Sequence, residues 1–156
     1  MDKQYRLIYD ENLCIGCQAC NVACRVENGV PEHFFRLQVR VETQGSFPDL
    51  RMRFSRVACV MCEHAPCVDV CPTHASFQTK DGLVHIDART CISCKYCILA
   101  CPYEARFINP ITKAVDKCDF CFGSRVSKAL NPACVSVCPT EALSFGDMRD
   151  KQSAVW

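Results

Sequence analysis

Residues 91–103 read CISCKYCILACPY. Cys91, Cys94 and Cys97 stand three apart, Cys101 follows after three more residues, and Pro102 stands behind it. Cys14, Cys17, Cys20 and Cys24 repeat the spacing, with Arg25 in place of the proline. Cys59, Cys62, Cys67 and Cys71 repeat it with a middle gap widened by Glu63, His64, Ala65 and Pro66, and Pro72 follows. Cys118 and Cys121 open a fourth group that Cys134, Cys138 and Pro139 close. These four groups use all 16 cysteines of the 156-residue chain.

Thiolates are soft ligands that suit iron–sulfur clusters and zinc. Three cysteines at successive CxxC steps, with a fourth thrown onward and followed by proline, is the spacing that wraps a cubane [4Fe–4S] cluster. In that arrangement the fourth thiolate crosses to a neighbouring cluster, so the groups interlock in pairs. Groups two and three are adjacent in the chain. They predict one cluster on Cys59, Cys62, Cys67 and Cys101, and another on Cys71, Cys91, Cys94 and Cys97. Groups one and four must then combine. They predict a cluster on Cys14, Cys17, Cys20 and Cys138, and one on Cys24, Cys118, Cys121 and Cys134.

Structural zinc takes two CxxC pairs per ion and gives no reason for a third CxxC step or a repeated Cys-Pro. A disulfide framework predicts a secretory leader, whereas MDKQYRLIYDENL is charged and lacks an apolar core. With every ligand position filled by cysteine, His33, His64, His74 and His85 read as polar or supporting residues, His64 being placed to donate to a cluster sulfur. Tyr96, Tyr103 and Phe107 read as packing that excludes water from the clusters.

The formal net charge is +1, with no basic block, which excludes nucleic acid as a partner. Oxidised cubanes carry about −2 each with their thiolates, so four take the chain to roughly −7. Arg25, Lys95, Arg106, Lys117 and Arg125, beside the cysteines, read as charge compensation. No apolar run reaches membrane-span length. There is no dinucleotide-binding glycine motif, phosphate loop or activated nucleophile, so the chain reads as non-catalytic.

Between the groups the pattern predicts small elements. YRLIY (5–9) reads as a strand, Asn21–Val26 as helix ending at Asn28-Gly29, and FFRLQVRVE (34–42) as a half-buried strand. LRMRFSRV (50–57) alternates again, so the two form a hairpin around TQGSFPD. LVHID, ARFIN, KAVDK and ALSF read as short strands, and FGSRVSKAL as helical. The fold class is α+β: two interlocked bacterial-ferredoxin-like dicluster halves, with short strands and helices around the clusters. The halves are 1–33 plus 104–156 (groups one and four) and 58–103 (groups two and three), with 34–57 an inserted β-hairpin.

CISCKYCILACPYEAR, KCDFCFGSR and PACVSVCPTEALSFGD closely resemble the four-cluster electron-transfer subunits of molybdenum- and tungsten-pterin oxidoreductases. That group includes the iron–sulfur subunits of polysulfide, thiosulfate, tetrathionate and dimethyl sulfoxide reductases, formate dehydrogenases and some tungsten aldehyde oxidoreductases. The resemblance runs from Cys14 to about Asp147. It implies clusters in a row within two halves related by a pseudo-twofold, the group-one cluster facing a Mo- or W-bis-pterin catalytic subunit. It also implies a further redox partner, either flavin/NAD-linked or a quinone-linked membrane subunit.

Some relatives replace a ligand of the third group; Cys94 and its neighbours are all present here, so four [4Fe–4S] clusters are expected. The short tail after Asp147 leads to the expectation of a soluble assembly. The lack of a leader makes the cytoplasm the default compartment, with periplasmic co-export beside a signal-bearing partner, at the membrane, as the alternative. The competing readings are a free-standing polyferredoxin and a zinc-stabilised interaction module.

Overall fold

A computed structural model describes residues 3–156; Met1 and Asp2, counted in the expected outer half, lie outside the described residues. Its strands form four two-stranded antiparallel sheets. Strand β1 (Tyr5–Tyr9) pairs with β8 (Leu143–Asp147), bringing the two ends of the chain together from Tyr5↔Asp147 to Tyr9↔Leu143. Strands β2 (Leu37–Ser46) and β3 (Asp49–Ala58) form the long hairpin. Strand β4 (Ser76–Gln78) pairs with β5 (Val84–Ile86), and β6 (Phe107–Ile108) with β7 (Val115–Asp116).

Each cysteine group carries a helix, and proline sets its length. Helices α2 (Pro66–Asp69), α3 (Tyr96–Leu99) and α4 (Ala133–Ser136) are single turns. Each stops ahead of a Cys-Pro step, because the residue before proline is driven out of the helical region. Group one has Arg25 where the others have proline, and α1 (Ala19–Asn28) runs on to Gly29, which caps it at φ 55°. Helix α1 packs on α4, and α2 on α3.

The core is small, and thiols make up a large part of it. Leu37, Met61, Leu83, Val84, Phe120 and Leu143 cluster with Cys24, Cys59, Cys67, Cys97, Cys118 and Cys134. Tyr5 stacks on Phe145 at 5.4 Å, with Phe120 edge-on to Phe145 at 5.5 Å.

The hairpin differs from the sequence expectation in two ways. It starts at Leu37, since Phe34 is drawn onto Phe107 (5.1 Å) and Phe35 lies under the Arg25 guanidinium. It also runs straight through Thr43–Ser46, so only Phe47 and Pro48 form the turn. The apolar face is buried only at its base: Leu37 and Val39 are 1% and 5% exposed, while Val41 and Met52 are 49% and 65% exposed. The arm outruns the core, so its alternation continues with nothing to pack against. The FGSRVSKAL segment, read as helical, contains only a 3-10 turn at Val126–Lys128, which Ala129 ends at φ 61°.

Candidate cluster sites

The same backbone device opens all four cysteine groups. The residue before the second cysteine of each CxxC has positive φ: Gly16 at 69°, Met61 at 52°, Ser93 at 57° and Phe120 at 58°. A left-handed residue there curls the intervening amides round the two sulfurs, so the loop closes on something held between them. For Met61 and Phe120, both nearly fully buried, this is a strained conformation of the kind that concentrates at functional sites.

Cys14, Cys17 and Cys20 line one cavity with Cys138. Cys59, Cys62 and Cys67 line a second with Cys101, and Cys91, Cys94 and Cys97 line a third with Cys71. Cys24 lies within electrostatic reach of Cys118, Cys134 and Cys121. That fourth set is wholly buried, whereas Cys17 of the first is exposed. All sixteen cysteines are free thiols. Among the described residues, no group of three or more His, Cys, Asp or Glu side chains converges tightly enough for a single metal ion.

The thiol environments differ by position. Burial pushes Cys24 up, and Cys134 up to about 12, with crowding by Cys118 adding to both. Such thiols ionise only against a strongly cationic partner, which suits an iron core. Cys71 and Cys138 go the other way. Burial opposes it, but backbone amides and the neighbouring threonine hold both below the usual thiol value. Thr73 Oγ1 and Thr140 Oγ1 each lie 3.8 Å from the cysteine two residues back. The Cys-Pro-Thr repeat at 71–73 and 138–140 carried this signal, and sequence reasoning passed over it.

Several cations sit where charge compensation predicts. Arg106, 5% exposed, donates from Nη2 to Cys67 Sγ at 2.7 Å, and its Nη1 is buried without a partner. Lys117, 3% exposed, donates to the Val84 and Cys118 carbonyls. Arg25 instead ties down the Pro31 and Phe34 carbonyls, and Arg125 pairs with Glu27.

Three residues went unrecognised in the sequence. Asn28, read only as part of a helix stop, places Nδ2 3.7 Å from Cys24 Sγ and 3.6 Å from Cys121 Sγ. Arg56 lines the first cavity with Nε and Nη2 buried and unpartnered. Arg36 bridges Asp116 and Asp119. His64, the histidine placed within reach of a cluster sulfur by sequence, is exposed. Tyr96 and Tyr103, expected as water-excluding packing, are 58% and 47% exposed. A separate cleft, between Arg36, His85 and Asp116, contains no cysteine.

Two dicluster profiles match this chain, both described as 4Fe-4S dicluster domain, over residues 13–75 and 50–148. The chain belongs to the 4Fe–4S dicluster family of iron–sulfur proteins, and it is an electron-transfer subunit rather than a catalytic one. Its relatives include the polysulfide reductase B subunit of Wolinella succinogenes, 54% identical over 99% of this chain and 82% of the relative. Thiosulfate reductase electron transfer subunit PhsB of Salmonella typhi is 48% identical over 100% of this chain and 82% of its own. Protein NrfC of Escherichia coli K12 is 52% identical over 97% and 69%. The fold at this level is two ferredoxin-like dicluster domains with small strands and few short helices.

Proposed function

We propose that the chain carries four [4Fe–4S] clusters, ligated as the spacing predicts, and passes single electrons along them to or from a Mo- or W-pterin catalytic subunit. At the other end stands a further redox subunit, flavin/NAD-linked or quinone-linked. The observation that carries this reading is the composition of the three cavities: each has three closely spaced cysteines from one group and a fourth from the partner group. The unpartnered Arg56 and Arg106 nitrogens beside those cavities fit an anionic iron–sulfur group. The names of the polysulfide and thiosulfate reductase relatives support a reductase complex as the setting.

Bound clusters supply one-electron chemistry. The chain's own residues hold the thiolates, wrap them in amides and set how much water reaches them. The interlocked halves, 1–33 plus 104–156 and 58–103, are supported by the contacts of α1 with α4 and of α2 with α3. The first cavity, with Cys17 exposed and Ile15 and Leu13 59% and 49% exposed, is the face we assign to the catalytic subunit. Among the described residues no helix is long and apolar enough to cross a membrane, so we assign any membrane contact to another subunit. The compartment we propose is the cytoplasm, co-export to the periplasm being the alternative.

The test is an anaerobic pull-down from the native host, with iron, sulfide, molybdenum and tungsten quantified. About sixteen irons per chain with a pterin-metal subunit supports the conduit. The same iron without a partner makes the chain a mobile polyferredoxin, and zinc without iron overturns the reading.

A further inference from the structure

Three cations occupy related places: Arg106 and Lys117 are buried, and Arg56 is half-buried with Nε and Nη2 out of solvent. Arg56, near the end of β3, lines the first cavity beside Cys14, Cys17, Cys20 and Cys138. Its charge acts on Cys20 on one side and on Cys118 and Cys134 on the other. Lys117, just after β7, reaches from the Cys118 carbonyl at 2.8 Å to the thioether of Met61, in the Cys59–Cys62 loop, at 3.8 Å, and its charge acts on Cys118 and on Cys67. Arg106 lines both remaining cavities, bonding Cys67 of one and acting on Cys97 of the other.

Among the described residues, none of the three forms an ion pair with a carboxylate, in contrast to Arg36 with Asp116 and Asp119. Burying a cation without an anion is strongly disfavoured. The hydrogen-bond partners of Lys117 are carbonyls and the Met61 thioether, which solvate a charge without neutralising it. The anions within reach of all three are the cysteine sets, once these are ionised and loaded. A fixed positive charge stabilises the more negative, reduced state of whatever lies on either side of it.

We propose that the fold places one cation in each gap of the row of cysteine sets, and that each cation raises the reduction potentials of the two clusters flanking it. Arg56 stands between the Cys14 set and the Cys24 set, Lys117 between the Cys24 set and the Cys59 set, and Arg106 between the Cys59 set and the Cys71 set. This rests on the four-cluster reading above. Its consequence is a matched inner pair: the Cys24 and Cys59 sets, each flanked by two cations, are raised together, and the Cys14 and Cys71 sets, each flanked by one, are raised less.

The test is a redox titration, followed by electron paramagnetic resonance, of the full iron-loaded chain and its Arg56→Gln, Arg56→Lys, Arg106→Gln and Arg106→Lys variants. Each Gln variant should keep its iron and lower two of the four potentials. The reduced-to-oxidised ratio at fixed potential should drop on the order of tenfold, about 59 mV for a one-electron couple. The two Gln variants should move different pairs, and each Lys variant should restore its pair. Unchanged potentials, a shift of all four together, or a Lys variant shifted as far as its Gln counterpart would each overturn the proposal. If a Gln variant loses iron, the Lys variant decides: restored iron at the wild-type potentials supports a role of the charge, and iron still missing overturns it. A wild-type chain lacking its full iron would instead count against the four-cluster reading.

Discussion

The ring of Phe54, on the hairpin, closes over Gly16 in the first CxxC loop: a Cβ built on Gly16 would overlap the ring Cε1 and Cδ1. Gly16 also has φ 69°, where an L side chain is strained. The long hairpin thereby braces the loop that holds Cys14 and Cys17. Gly16→Ala should cost about 1–3 kcal/mol and strip iron from the first site alone. The matching measurement is iron per chain, expected on the four-cluster proposal to fall by about a quarter, one cubane of four. Adding Phe54→Leu should recover part of it; no recovery would show that the ring is not the obstacle.

Asn28 ties the Cys24 set together. Its Nδ2 donates to the Cys24 carbonyl at 2.9 Å and faces two sulfurs, while Oδ1 accepts from Arg36 Nη1 at 2.8 Å. Donors to sulfur stabilise the reduced cluster. Asn28→Ala should destabilise the chain by about 1–3 kcal/mol and lower one potential of the four. Titration showing all potentials in place would argue that Asn28 serves only the end of α1.

Removing the clusters should largely unfold the chain. Six of the sixteen residues in the buried cluster of the core are cysteines, and Cys24 and Cys134 are buried thiols held far from easy ionisation. The remaining hydrocarbon is thin for a chain this size, and metal binding and folding are then one equilibrium. Circular dichroism of the chelated, reduced protein should show most native signal lost. A retained native spectrum would separate folding from metal.

His85 gives a pH dependence with a definite sign. It lies 5.7 Å from the Phe122 ring and 6.0 Å from Phe77. Burial, followed by the Lys117 charge, lowers its pKa from the ordinary 6.5, with Asp119 opposing. A depressed pKa contributes stability that is present above the unfolded value and lost as pH falls through the folded one. Between about pH 7.5 and about pH 5.5, the wild-type thermal midpoint should therefore fall further than that of His85→Phe. Equal declines would place the acid sensitivity elsewhere.

Spacing along the chain dictated the local structure of the cysteine groups. Three-residue steps between cysteines force a tight loop, proline after the fourth stops each helix at one turn, and its absence after Cys24 lets α1 run on to Asn28. The cap at Gly29 and the Phe107–Asp116 hairpin were legible for the same reason: their interactions lie within a few residues. Longer reach had to come from the tertiary structure. The β1–β8 pairing joins residues 5–9 to 143–147, and the sulfur contacts of Asn28 span 93 residues to Cys121. Arg56 read as one more polar residue of an alternating strand. Only the packing of the hairpin base against two cysteine sets buries its guanidinium there, and a charge acts through distance in space, which spacing along the chain does not record.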